Sequence, residues 1–169
     1  MESIDVLAIG AHPDDAEIGA GGTLLRCAAL GYRTAVLDMT RGELGTRGTA
    51  EERAKESADA AAVLGLAWRG TVDLGDGHVR DTLESRRALV RVYRELRPKV
   101  ILTHYWEEPH PDHIATAQLA RNCVYLAGLA KYESADGLER FRPSCVAHFN
   151  LPRWVSPSFV VDVSQWYET

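Results

Sequence analysis

The chain has 169 residues, of which 46% are hydrophobic and 25% are charged, and its formal net charge is −5 at pH 7. This length predicts a single domain, residues 1–169, with a buried core, and the composition is that of a soluble globular protein. The negative charge argues against nucleic acid or an anionic membrane as the partner. No apolar run approaches the roughly 20 residues that a membrane span needs.

Cysteine usage and the N-terminus indicate the compartment. Cys27, Cys123 and Cys145 are far apart and form no CxxC pair, which predicts free thiols in a reducing environment. Acidic residues at Glu2 and Asp5 stand where a signal peptide would carry basic ones. We therefore expect a cytoplasmic protein.

Apolar runs bounded by turn residues alternate with helical patterns, beginning at the N-terminus. Residues 4–11 are predicted to form the first strand. A glycine-rich loop over residues 12–22 and a helix over residues 23–30 follow it. Residues 34–39 form the second strand, and the polar loop after it, residues 40–48, is expected to cover a site.

The alternation continues through the rest of the chain. Capping pairs predict two helix starts, at Thr49 with Glu52 and at Asp81 with Glu84. A further helix is expected to open at His113 or the next residue. The remaining strand candidates are residues 67–74, 100–104, 145–151 and 159–163, and residues 164–169 resemble the start of a helix.

Strands that alternate with helices predict an α/β fold, a Rossmann-like open and mostly parallel sheet with helices on both faces. In the common strand order 3-2-1-4-5, strands 1 and 4 are neighbours, and ligands bind outside their carboxyl ends. These two strands precede the HPDD motif (residues 12–15) and the HPDH motif (residues 110–113). We expect the side chains of both motifs to share one crevice.

The loop after the first strand is where a dinucleotide-binding G-x-G-x-x-G motif would lie. Its three glycine positions are occupied by Gly10, His12 and Asp15, so only the first fits. Asp14 and Asp15 would also repel a pyrophosphate. Nucleotide binding by this loop is therefore rejected, although Asp38 at the end of the second strand is a feature that such proteins share.

A metal site explains the two motifs better. His12, Asp15 and His113 supply two imidazoles and one carboxylate, a set that leaves positions open for water and substrate, as a hydrolytic zinc site requires. A metal lowers the pKa of its water towards ~7. The neighbouring Asp14 is then free to accept the proton.

Other polar residues near the motifs have weaker patterns. His110 and Asp112 together can donate a proton to a leaving group or stabilise an oxyanion. Arg53 lies in the first turn of its helix and is equally consistent with an ion pair and with a substrate contact. His104 is expected to be structural.

Two other functions remain open on the residues alone. A non-haem iron oxygenase also uses two histidines and a carboxylate, but such enzymes usually have β-barrels, which the alternating pattern does not predict. A non-catalytic metal- or sugar-binding module is the other alternative.

The motifs resemble those of a known family. Residues 11–19 together with residues 21–23 are similar to the N-terminal signature of the PIG-L/LmbE-like deacetylases, and the HPDH motif is similar to their second signature. Residues 40–49 resemble the corresponding loop of the bacillithiol-biosynthesis branch. The resemblance covers essentially the whole chain, and since family members continue past Ser164, we expect it to lack a C-terminal portion of the domain.

This resemblance implies a zinc-dependent hydrolase, with Fe2+ as the alternative metal, that removes acetyl from an N-acetylglucosamine conjugate. The implied substrate is N-acetylglucosaminyl-malate, and the implied assembly is a homo-oligomer, with the hexamer as the family's precedent. The implied metal ligands are His12, Asp15 and His113. Asp14 is implied as the general base, His110 as the oxyanion stabiliser or acid with Asp112 orienting it, and Arg53 as a substrate contact.

Overall fold

The computed structural model describes residues 2–46, 48–132, 137–150, 155–167 and 169. Its strands are β1 (Val6–Gly10), β2 (Thr34–Asp38), β3 (Trp68–Thr71), β4 (Val100–His104) and β5 (Cys145–Phe149). Its helices are α1 (Asp15–Ala29), α2 (Ala50–Val63), α3 (Leu83–Leu96) and α4 (Pro111–Ala127), with a short 3-10 helix at Ser164–Trp166. None of the described helices has the length and apolar character needed to cross a membrane.

The five strands form one parallel sheet in the order β3-β2-β1-β4-β5. This confirms the predicted fold class and strand order. Alternate residues of β1 enter separate cores on the two faces of the sheet: Leu7 and Ile9 on one face, Val6 and Ala8 on the other. Burial on both faces explains why β1 is a continuous apolar run.

Helix α1 begins at Asp15, eight residues before the predicted start, and it contains the glycines that were assigned to a loop. Two of these glycines, Gly19 and Gly22, allow close packing. A Cβ at Gly19 would collide with the ring of Phe149, and one at Gly22 would lie 2.8 Å from Cβ of Val163. The prediction was wrong because glycine here serves close approach rather than a turn.

Two other helix starts differ from the prediction. Helix α4 begins at Pro111, with His110 as its N-cap, because proline fits the first helical position, where no N–H is needed. The cap of α3 is Thr82, which exchanges hydrogen bonds with Ser85. The Asp81 carboxylate instead accepts hydrogen bonds from Nε and Nη2 of Arg86, at 2.5 and 2.8 Å.

Residues 159–163 do not form the predicted strand. A strand needs a partner for its backbone groups, whereas this segment lies on α1, where Arg26 donates to the carbonyl of Asp162 at 2.5 Å. The side chain of Val160 is 80% exposed. Strand β5 ends at Phe149, and the last residue predicted for it, Leu151, lies outside the described residues.

Candidate metal centre

Two helix N-termini meet at the carboxyl ends of neighbouring strands. Strands β1 and β4 pair in parallel, and α1 and α4 begin just after them. Asp15 lies in the first turn of α1 and Asp112 in the first turn of α4. The N-terminal end of a helix stabilises negative charge, so both carboxylates are favoured where they stand.

The structure brings the three predicted metal ligands together around Asp15. Its Oδ2 atom lies 3.3 Å from Nδ1 of His12, and its Oδ1 atom lies 3.3 Å from Nε2 of His113. The backbone N–H of His12 also donates to Oδ2 of Asp15 at 2.8 Å. Asp15 therefore bridges an imidazole from each motif.

The rings of four histidines lie in contact here: His12, His104, His110 and His113. The sequence indicated only a structural role for His104. It is fully buried at the end of β4 and stacks on His113 with a ring separation of 4.0 Å. Its Nε2 atom accepts from the N–H of Ala11 at 3.0 Å and lies 3.2 Å from Oδ2 of Asp15. Burial lowers the pKa of His104, although the nearby Asp15 and Glu108 oppose this effect.

Two buried acids that the sequence interpretation missed face the predicted ligands. Oε2 of Glu108 lies 2.6 Å from Nδ1 of His113, and Oδ1 of Asp76 lies 3.1 Å from Nε2 of His12. A proton held between Glu108 and Nδ1 leaves Nε2 of His113 free to bind a metal. The available signal was position, since Asp76 follows β3 and Glu108 precedes the HPDH motif.

Asp112 occupies a different place from the one expected. Its carboxylate accepts from the N–H groups of Gly77 and Val79 at 2.7 and 3.2 Å and lies 3.5 Å from Nε2 of His12. Its contact with His110 is through the backbone, because the N–H of Asp112 donates to Nδ1 of His110 at 3.2 Å. Neutral His110 therefore carries its proton on Nε2.

The electrostatics of the centre favour a bound cation. Burial opposes protonation of His12, but Asp15, Asp76 and Asp112 outweigh it and raise its pKa to about 9. Burial likewise opposes the charge on Asp15, yet the surrounding imidazoles hold its pKa far below its usual range. The carboxylates thus supply a strong negative potential where the nitrogens converge.

The donor atoms fit a divalent metal. Among the described residues, three overlapping sets have their donor atoms within 4.8 Å of one another: His12 with His110 and His113, Asp15 with His104 and His113, and His12 with Asp76 and Asp112. The predicted trio is not itself one of these sets, but His12 and His113 each belong to two and Asp15 links them. Imidazole nitrogen and carboxylate oxygen are the ligands that zinc and non-haem iron take.

A cavity of about 480 Å³ opens beside the centre. The predicted site residues that line it are His12, Asp14, Asp15, Arg53 and His110. Asp14 is exposed and stands at the N-cap of α1, where its side chain caps no backbone amide. Its carboxylate is therefore available on the cavity wall.

Gly42, Leu44 and Gly45, in the loop after β2, line this cavity, and the two glycines lie close to the Arg53 guanidinium. Gly42 adopts a φ of +64°, and a Cβ at Gly45 would collide with the Arg53 guanidinium. The N–H of Leu44 donates to Oδ2 of Asp76 at 2.9 Å. The loop is thus fastened to an acid that also contacts His12.

Comparison with known proteins gives the family. The model of the family PIG-L, GlcNAc-PI de-N-acetylase, matches residues 7–124. A diacetylchitobiose deacetylase from Thermococcus kodakarensis is 31% identical over 173 residues, which cover 96% of this chain and 65% of the relative. The chain spans 65%, 57% and 59% of the lengths of the first curated relatives that it matches.

Solved structures share the fold. A conserved protein from Thermus thermophilus is 42% identical with a TM-score of 0.93, covering 98% of this chain and 74% of its own. The 4-carboxy-2-hydroxymuconate hydratase from Pseudomonas putida is 25% identical with a TM-score of 0.84, covering 99% and 75%. With a family match that includes the HPDD and HPDH motifs, the chain belongs to the PIG-L family, whose model is described as GlcNAc-PI de-N-acetylase.

Proposed function

We propose that this chain is a metal-dependent N-deacetylase that removes acetyl from an N-acetylglucosamine conjugate. The family description and the name of the Thermococcus relative support a deacetylase of this substrate class. The observation that carries the proposal is the convergence of His12, Asp15 and His113 beside a cavity on whose wall Asp14 stands exposed. Metal ligands next to an uncommitted carboxylate are what metal-assisted hydrolysis needs.

His12, Asp15 and His113 would hold the metal, with Zn2+ as the first candidate and Fe2+ as the second. A divalent metal held by these residues would polarise the acetamide carbonyl and lower the pKa of water. Glu108 orients the His113 ring through Nδ1, and Asp76 contacts the His12 ring through Nε2. Such partners keep imidazole ligands in one tautomer and one orientation.

Asp14 is proposed as the general base. It reaches the same cavity as His12 and Asp15, and as an exposed carboxylate it can accept a proton from the attacking water. The water oxygen then bonds to the acetyl carbon while Asp14 keeps the proton.

His110 is proposed as the group that faces the developing oxyanion or the leaving nitrogen. Because its Nδ1 accepts from the backbone N–H of Asp112, its Nε2–H is the donor. Breaking the amide C–N bond and protonating the nitrogen yields acetate and the free amino sugar. Asp112 thus orients His110 through its amide, and its carboxylate fixes the backbone of Gly77 and Val79.

The position of Arg53 favours a substrate that carries negative charge. Its guanidinium lines the cavity beneath the loop of residues 40–48, where it would pair with carboxylates of an anionic conjugate. N-acetylglucosaminyl-malate, a bacillithiol precursor, is the proposed substrate of this type. A homo-oligomer, with the hexamer as the specific case, stays a prediction that sedimentation analysis can decide.

The test is acetate release by the metal-loaded 169-residue chain from N-acetylglucosaminyl-malate and from diacetylchitobiose. We expect release that a chelator abolishes and that added Zn2+ or Fe2+ restores. A full rate in the chelated protein would refute metal dependence. Faster release from diacetylchitobiose than from the malate conjugate would refute the anionic substrate but leave the deacetylase assignment standing.

Two variants, Asp14→Asn and His113→Ala, distinguish the role of the general base from that of the metal ligands. We expect kcat to fall by about 10²–10⁴-fold with metal content unchanged, whereas His113→Ala should lose the metal. Normal turnover by Asp14→Asn would show that Asp14 is not the base. Since a hydratase shares this fold, 4-carboxy-2-hydroxymuconate should be assayed in parallel, and its hydration without any acetate release would replace the proposal.

A further inference from the structure

Arg69 is a buried arginine on β3, an edge strand of the sheet. Its side chain is only 9% exposed. A guanidinium is costly to bury unless carboxylates and other acceptors surround it. Its surroundings therefore indicate why the position carries an arginine.

All five N–H donors of this guanidinium are used. Nε and Nη2 donate to the two oxygens of Asp38 at 2.9 and 3.1 Å, in a bidentate pair. Nη1 donates to Oε1 of Glu17 and to the carbonyl of Ser57, the latter at 3.2 Å. The second hydrogen of Nη2 donates to the carbonyl of Pro13 at 3.2 Å.

These acceptors belong to the segments that build the candidate site. The Pro13 carbonyl lies inside the HPDD motif, and because a peptide unit is planar, holding it fixes how the chain enters Asp14. Glu17 belongs to α1, the helix that Asp15 begins. Ser57 belongs to α2, the helix that carries Arg53.

The charges around position 69 favour a cation, and the contact geometry favours arginine over lysine. Two acids, Asp38 and Glu17, face one guanidinium, and burial raises the pKa of Asp38 to about 6 despite the opposing effect of Arg69. Lysine at position 69 would keep the positive charge but would lose the planar fork that satisfies four segments at once. The geometry of the contacts, beyond their charge, is therefore specific to arginine.

We infer that Arg69 is a positioning residue of the metal centre, because its contact with the Pro13 carbonyl holds the HPDD motif in the geometry that places His12, Asp14 and Asp15. The inference rests on the proposed function for the metal that these residues bind. It makes Arg69 responsible for metal affinity and for turnover while it touches neither metal nor substrate.

The test compares Arg69→Lys with the wild type as full chains. Affinity of the metal-free protein for Zn2+ is measured by competition with a chromophoric chelator, and kcat and KM are measured for acetate release. We expect about 10–100-fold weaker Zn2+ binding, as for other residues that orient ligands. We also expect kcat to fall by a larger factor than KM rises, because the Pro13 carbonyl directly precedes the base Asp14, whereas Arg53 lies four residues from Ser57.

Arg94→Lys is the matched control. Arg94 is also buried, on α3, and donates to the carbonyls of Ala127 and Leu129 at 3.1 and 2.8 Å. This variant should lose stability but bind Zn2+ as the wild type does. An equal loss of Zn2+ affinity in both variants would overturn the inference, because general destabilisation would explain it.

Wild-type Zn2+ affinity in a folded Arg69→Lys protein would also overturn the inference. If that variant does not fold, Asp38→Asn serves instead, because it removes the negative charge of the bidentate pair with Arg69. It should also weaken Zn2+ binding, and unchanged binding would refute the inference. A wild type that binds Zn2+ but releases no acetate would refute the proposed function alone, since the affinities still decide the role of Arg69.

Discussion

Replacing glycine by alanine should change the stability differently at two glycines of α1, Gly19 and Gly21. Replacing an interior helical glycine by alanine gains about 1 kcal/mol of helix propensity. At Gly21 the added Cβ would meet only Cδ2 of Leu64, at 3.9 Å. Gly21→Ala should therefore raise the free energy of unfolding by about 1 kcal/mol.

At Gly19 the same Cβ collides with the ring of Phe149, with Cε2 at 2.7 Å and Cγ at 2.9 Å. The ring has little room to withdraw, because it also makes an edge contact with His104, with 4.9 Å between the ring centroids. Overpacking of this kind costs about 1–3 kcal/mol. Because both variants gain the same helix propensity, the overpacking should make Gly19→Ala about 1–3 kcal/mol less stable than Gly21→Ala.

Urea denaturation at equilibrium measures both variants against the wild type. The m-values should be equal, because a methyl group hardly changes the surface exposed on unfolding. If Gly19→Ala proved as stable as Gly21→Ala, the packing of α1 against β5 would be wrong, and with it the explanation for the glycines of this helix.

Two further predictions concern buried and half-buried acids. Glu108→Gln should weaken Zn2+ binding about tenfold by removing the charge that orients His113, as measured by chelator competition, whereas Glu107→Gln should not; equal affinities would contradict this role. Asp81→Asn should cost about 0.5–1 kcal/mol of stability at pH 7, because its partner Arg86 is partly exposed. The hydrogen bond from Arg86 lowers the pKa of Asp81, so this contribution is present above pH ~4 and is lost as the pH falls through the folded-state pKa; a constant difference in denaturation free energy down to pH 2 would contradict it.

The sheet could be predicted because each strand signal is local. The apolar runs that became β1 and β4 are buried on both faces or nearly so, and β4 matches its predicted bounds. Alternation with helices then restricts the order to few topologies. That order was sufficient to bring the HPDD and HPDH motifs together before any contact was known.

The misassigned segments are those whose structure depends on distant partners. The glycines at positions 19 and 22 predict a loop when only their own segment is considered. They lie in a helix instead, and glycine is needed there because Phe149 of β5 and Val163 approach the helix closely. Residues 159–163 read locally as a strand, but they find contacts with α1 instead of a ladder partner. The residue pattern of a single segment does not show which distant segments will pack against it.

The missed acids have the same cause. Asp76 lies between two glycines, a setting typical of a solvated turn, and Glu108 follows Glu107, a pair of charges that is usually exposed. Burial of Asp76 depends on the loop of residues 40–48, through Leu44. Glu108 is buried where α4 places the His113 ring against its carboxylate.

The pairing of β1 with β4 also determines when a metal can bind during folding. Thr103 donates to the carbonyl of Ile9 across 94 positions of the chain, and the donors that follow β1 and those that follow β4 lie side by side only when these strands are paired. An unfolded chain offers each motif only as a weak separate site, so the metal would act as a ligand of the folded state alone. At a free concentration of about 1,000 Kd it would add roughly 4.1 kcal/mol to the free energy of unfolding, which makes thermal stability a direct measure of occupancy.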